Sequence, residues 1–239
     1  DRFDIRNHFK LGPVKYHNVV ASIKGTKYPD EYVIISGHLD SYDVATGGID
    51  CGTGIGPMME AARMIALSGA KPKRTILFVA FAGEEFGLLG AKSYVKTHAK
   101  ELGKIANLFN RDGGPTPPVG ISVPQAMYDD FVEVCKPVKE IRADYPFEVK
   151  VAKPFKRPTQ SGGTDASVFA VEGVPTFGFN TQDIKGYNFS YGEIWHTERD
   201  LYTKNIPEYQ EHAATVTAVV ALGIANLSKQ LSREGMHKK

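Results

Sequence analysis

The chain has 239 residues, 42% hydrophobic and 23% charged, with a net charge of +2, a length and balance that suit one globular domain with a sizeable core. Nothing has the clustered Lys and Arg of a nucleic-acid footprint, and the basic end at His237, Lys238 and Lys239 reads as a solvated tail. No apolar run is long enough to span a membrane, and two distant cysteines, Cys51 and Cys135, make no disulfide framework.

Residues 1–16 are polar and irregular. Because the chain opens on Asp1 rather than Met, they read as the remnant of a longer precursor, with any signal peptide out of view. The alternation over 17–24 predicts a strand, and G-T-K-Y-P-D over 25–30 a turn. Residues 32–36 (Y-V-I-I-S) form a nearly continuous β-branched run, as in a strand buried on both faces, and lead to His38 and Asp40. The stretch 47–56 is too rich in glycine for a regular element. Pro57 then fits a first helical turn, continued by Met58, Met59, Ala62, Ile65 and Ala66 at helical spacing and closed by Gly69; the Met pair reads as core.

A second buried strand over 76–81 delivers Gly83, Glu84 and Glu85, and 87–99 reads as a helix. A third strand, 105–109, ends at Asn110, Arg111 and Asp112. Residues 115–124 read as a Pro-rich loop, 125–137 as an amphipathic helix with Cys135 on its buried face, and 145–161 as a short surface strand and loop. Gly162, Gly163, Thr164 and Asp165 open a short helix through Val171, followed by a fourth strand over 174–179 and an aromatic loop over 182–199. Pro207 starts a long helix to about residue 231. His8, His17, His98, His212 and His237 read as surface residues. Strands alternating with helices predict an α/β fold in three layers, a mostly parallel mixed central sheet with helices on both faces. The domain plan is an end segment over 1–16, one catalytic domain over 17–231 and a tail over 232–239.

The chemistry lies at the strand ends, where a parallel sheet gathers its ligands. His38, Asp50, Glu85, Asp112 and His196 all fall at successive strand ends or loops. Two imidazoles with three carboxylates and no paired thiolate suit two divalent ions of borderline softness, such as zinc. Neighbouring ions need a shared ligand that offsets their repulsion, and Asp50, on a Gly-rich loop that permits close approach, suits the bridge. Asp40 can accept the other N–H of His38 and so orient it. Glu84 and Glu85 diverge as sequence neighbours: one can be a ligand while the other accepts a proton from a metal-bound water.

The ordered set H-L-D, G-x-x-D, G-E-E, N-x-D-G-G and W-H-T-x-x-D resembles the co-catalytic zinc aminopeptidases and carboxypeptidases of clan MH. The stretch N-V-V-A-S-I-K-G-T-K-Y-P-D-E-Y-V-I-I-S-G-H-L-D-S-Y-D-V is similar to the plasma glutamate carboxypeptidase (carboxypeptidase Q) branch. The resemblance covers roughly residues 18–227 and implies the zinc-exopeptidase, phosphorylase/hydrolase-like fold. It implies two zinc ions, one on His38, Asp50 and Asp112 and the other on Asp50, Glu85 and His196, with Glu84 as general base and Asp40 orienting His38. It further implies removal of N-terminal residues from peptides or splitting of dipeptides, and a secreted or periplasmic home; a homodimer is compatible with it. The family usually has Asp or Asn after the bridging Asp, across a cis peptide; here Cys51 follows. Weaker assignments are Asp165 at the substrate end or as a helix cap, Tyr187 or Tyr191 as a donor to the oxyanion or as packing, Trp195 as a pocket wall or simple packing and Asp200 as support for the His196 loop. The rival readings are a glutaminyl cyclase-like acyl transferase and a non-catalytic peptidase-like binding domain.

Overall fold

Apolar side chains run almost unbroken along the central strands of the computed structural model, which describes residues 2–10 and 12–238. Asp1, Leu11 and Lys239, all in the two predicted end segments, lie outside the described residues. The elements in order are β1 (Val19–Ile23), β2 (Tyr28–His38), α1 (Gly52–Leu67), β3 (Arg74–Phe81), α2 (Leu89–Thr97), β4 (Ile105–Asn110) and β5 (Pro118–Pro124). There follow α3 (Tyr128–Ile141), β6 (Glu148–Ala152), β7 (Phe155–Lys156), α4 (Asp165–Val171), β8 (Phe179–Thr181), α5 (Pro207–Asn226) and β9 (Met236–Lys238).

The central ladder runs β1-β3-β2-β4, with β2 parallel to both neighbours and β1 antiparallel at the edge. A parallel bridge from Leu108 to Thr176 links it to the chain that becomes β8, which pairs antiparallel with β5, itself parallel to β6. The period of two sends Val33, Ile35, Ile76 and Phe78 to one face, against Met58 and Ile65 of α1, Phe131 of α3 and Val216, Val220 and Ile224 of α5. Ile34, Val79, Phe81 and Leu108 point the other way, onto Ala91, Tyr94 and Val95 of α2 and Phe169 of α4. Each such fully buried side chain contributes about 1.5–3 kcal/mol, so both sheet faces hold a core. This is the expected three-layer α/β arrangement.

Several local expectations differ. Residues 118–124 form a strand, because β6 and β8 pair on its two sides and satisfy a Gly- and Pro-containing backbone that looks like loop in isolation. Helix α1 starts at Gly52, ahead of Pro57. The Thr53 carbonyl that the missing Pro57 N–H would have bonded accepts the Arg111 Nε–H at 2.8 Å instead. Met58 is core as expected, while Met59 is 63% exposed. Helix α3 runs through Pro137 to Ile141. The fourth strand shrinks to the bridge at Thr176 and the short β8.

Helix α5 stops at Asn226, where Lys73 Nζ and Arg74 Nη1 each donate at 2.7 Å, to the carbonyls of Asn226 and Leu227. Cations over the last carbonyls of a helix favour a stop there. The described residues beyond, through His237, are held against the domain rather than forming a solvated tail. Arg233 donates to the carbonyls of Leu102, Gly103, Ile105 and Gly173, and β9 pairs with β7. His237 is buried against the Thr176 hydroxyl at 2.9 Å, and His212 is buried too, donating from Nε2 to the Pro118 carbonyl at 2.8 Å. Both correct their reading as surface residues: each polar ring is covered by an element distant in sequence.

Candidate metal centre

The parallel register sets the site. His38 lies opposite Phe81, and Ser36 opposite Asn110, so the chain leaving β2, β3 and β4 delivers His38, Glu84 with Glu85, and Asp112 to one edge. The loop after β2 crosses that edge and returns at Asp50, just before α1. The Asp50–Cys51 peptide is cis.

His38 Nε2 is 2.9 Å from Asp50 Oδ1 and 3.4 Å from Asp112 Oδ1. Its Nδ1–H is donated to the backbone carbonyl of Asp40 at 2.8 Å. The Asp40 carboxylate has a different task from the one anticipated: its oxygens accept the amides of Glu84 at 3.1 Å and Glu85 at 3.2 Å. Asp40 thereby fixes both the ring of His38 and the turn that carries the two glutamates. On the far side, His196 Nε2 contacts Glu85 Oε2 at 2.9 Å. The His196 ring stacks on Tyr42, with ring centroids 4.1 Å apart, and meets the Trp195 ring at a tilt, with centroids 4.2 Å apart. Tyr42 has no sequence signal that marks it; it lies in the loop after β2, and the stack joins it to a ring more than 150 residues later.

All five residues expected as ligands are thus brought together. The ligand atoms of His38, Asp50 and Glu85 lie within 4.8 Å of one another, as do those of His38, Cys51 and Asp112. Glu85 Oε1 is buried with no hydrogen-bond partner, which is costly unless something positive meets it. Three acidic groups around buried imidazole nitrogen, with one oxygen orphaned, fit divalent cations of intermediate softness. Cys51 enters the cluster unforeseen as a neighbour of His38, and its thiol donates to the Arg111 carbonyl at 3.0 Å.

The electrostatics agree with the geometry. Burial alone would drive His38 toward the neutral form, but the hydrogen bonds it donates to the Asp112 and Asp50 carboxylates outweigh it and raise its proton affinity. The same pull acts on any cation placed there. Burial opposes ionisation of Asp50 too, yet His38 and the Tyr191 hydroxyl hold its carboxyl below the usual range. Burial, reinforced by Asp112, pushes Glu84 up to about 8. Burial, then Asp50, also raises Glu85.

Other expected residues fall in varied places. The Tyr191 hydroxyl reaches Asp50, and burial and that negative charge raise its pKa. Tyr187 donates to Glu208 on α5 and does not line the cleft over the cluster. Trp195 does line it. Asp165 is fully buried at the start of α4 with both oxygens unpartnered, so it caps nothing, and burial raises it to about 7. Asp200 supports the Asp50 loop rather than that of His196: its carboxylate accepts the Ile49 amide at 2.6 Å and the Asp50 amide at 3.2 Å.

The model of peptidase family M28 matches residues 18–220. The chain belongs to that family. It is 32% identical over 231 residues to carboxypeptidase Q of Rattus norvegicus, covering 95% of this chain and 46% of the relative. The crystal structure of a peptidase M28 precursor from Shewanella amazonensis SB2B superposes with a TM-score of 0.74 at 34% identity, over 90% of this chain and 46% of that one. A zinc aminopeptidase of Bacillus subtilis shares the fold with a TM-score of 0.66 at 21% identity, over 92% of this chain and 53% of its own. This chain therefore spans about half the length of the curated M28 relatives it matches.

Proposed function

We propose that this chain carries the site of a zinc-dependent metallo-exopeptidase with two zinc ions, which removes N-terminal residues from peptides or splits dipeptides. The observation that carries the reading is the convergence of His38, Asp50, Asp112, Glu85 and His196 beside a glutamate, Glu84, that contacts no imidazole. His38 and Asp112 would hold one ion, Glu85 and His196 the other, and Asp50 would belong to both. Bound ions would supply Lewis acidity, polarising the scissile carbonyl and acidifying the attacking water.

The chain's own residues supply the rest. Asp40 holds the Glu84 and Glu85 amides, which aims the turn. Glu84, whose raised proton affinity suits a group working near neutral pH, takes a proton from water and passes it to the leaving amine. Tyr191 stands over Asp50 as donor to the developing oxyanion. We assign the protein a secreted or periplasmic home; no helix among the described residues is long and apolar enough to cross a membrane.

Elemental analysis of wild type and Glu84→Gln, with hydrolysis of unblocked and N-acetylated peptides, tests the reading. Near two zinc ions in both forms, cleavage of unblocked peptides alone and loss of turnover in the variant are expected. Metal near zero after reconstitution would leave a binding domain, and equal cleavage of acetylated peptides would exclude anchoring of the free amine.

A further inference from the structure

The cleft over the metal cluster, about 500 Å³, has acidic walls at Asp50, Glu84, Glu85 and Asp112, and one Lys or Arg among its lining residues, Lys92. Lys92 lies in the first turn of α2 and is exposed. Its Nζ donates to the Gly87 carbonyl at 2.8 Å, and among the described residues no carboxylate lies within ion-pair distance of it. The amide of Gly87 is in turn bonded to the Glu84 carbonyl at 2.9 Å. The ammonium is therefore tied to the same turn that presents Glu84. A neutral carbonyl partner leaves its charge uncompensated.

We propose that Lys92 is a specificity-determining residue that binds the free carboxylate of the leaving amino acid. The assignment rests on the exopeptidase reading above. Glu84 gives its proton to the leaving amine, so the leaving residue sits on the Glu84 side of the cleft, which is where Lys92 stands. When the leaving group is a single amino acid, its carboxylate is one Cα removed from that amine, well within roughly 7 Å, the span of two residues. A longer leaving peptide or a C-terminal amide brings a neutral carbonyl there and leaves the ammonium without its counter-charge. The chemistry favours substrates that release one free amino acid.

The test compares alanyl-leucine with its C-terminal amide in wild type, Lys92→Met and Lys92→Arg. The ratio of kcat/KM for acid over amide should be about three- to fivefold higher in wild type than in Lys92→Met, since a partly exposed ion pair has that effect. The change should sit in KM, and Lys92→Arg should restore most of it. The same ratio in wild type and Lys92→Met would overturn the assignment. Calorimetry of both compounds in Glu84→Gln, with and without Lys92→Met, reads the contact without turnover. If nothing is hydrolysed, the exopeptidase reading fails, and equal binding of acid and amide then removes Lys92 as well; preference for the acid lost with Lys92→Met retains it.

Discussion

Asp200→Ala deletes a carboxylate that is 1% exposed and accepts two amides, Ile49 at 2.6 Å and Asp50 at 3.2 Å. A hydrogen bond to a charged acceptor contributes about 1.5–3 kcal/mol net, and a buried amide left unpaired costs a similar amount. The two bonds share one acceptor, so they do not add fully. Burial raises the proton affinity of Asp200, so removing the carboxylate also relieves a desolvation cost. The balance is a loss of about 3 kcal/mol, a large share of the 5–15 kcal/mol that typically holds a domain together. Because the same amides set the position of Asp50, zinc affinity should fall about 10- to 100-fold, as when a group orienting a ligand is removed. Asp200→Asn keeps one acceptor but turns an N–H toward the other amide, and should fall between. Urea unfolding and zinc titration read both effects. A variant within about 0.5 kcal/mol of wild type with unchanged zinc affinity would refute the claim that Asp200 holds the Asp50 loop.

Burial lowers His212 from 6.5 to about 4, so between those values the unfolded chain binds a proton that the folded chain does not. Stability should therefore fall as pH drops through that window, by up to about 3 kcal/mol at about 1.4 kcal/mol per pKa unit; His212→Gln should flatten this limb in denaturant titrations at successive pH values. A Cβ on Gly54 would meet the Arg111 carbonyl oxygen at 2.2 Å and Cys51 Sγ at 2.5 Å, so Gly54→Ala should destabilise by about 1–3 kcal/mol or more by overpacking, seen as a lowered Tm; an unchanged Tm would show that α1 is free to shift. Tyr191→Phe should lower kcat about 100-fold with little change in KM if its hydroxyl meets the oxyanion; a change in KM alone would make it a packing residue of the cleft.

Much of the site was legible because its parts stand where short-range rules place them. A parallel strand buried on both faces must be a continuous apolar run, as 32–36 and 76–81 are, and must pass to polar residues at its carboxyl edge. That places His38, Glu84 and Glu85 at the candidate site's edge of the sheet, as the run over 105–109 places Asp112; their separate roles are what the resemblance implies. The alternation of these strands with helices likewise pointed to a sheet covered on both sides, and the glycines around Asp50 marked a loop able to approach the cluster closely. The remainder depends on partners distant along the chain. Whether Asp40 acts through its carbonyl or its carboxylate was decided by the Glu84 and Glu85 amides, and the role of Asp200 by a loop 150 residues earlier. Residues 118–124 became a strand because β6 and β8 offered their backbones on either side. His212 and His237 were buried by elements that no local periodicity connects to them. Spacing in a sequence records which side of its own element a residue occupies; what covers that side is settled only when separate elements pack, since burial and hydrogen-bond satisfaction belong to the contact between them.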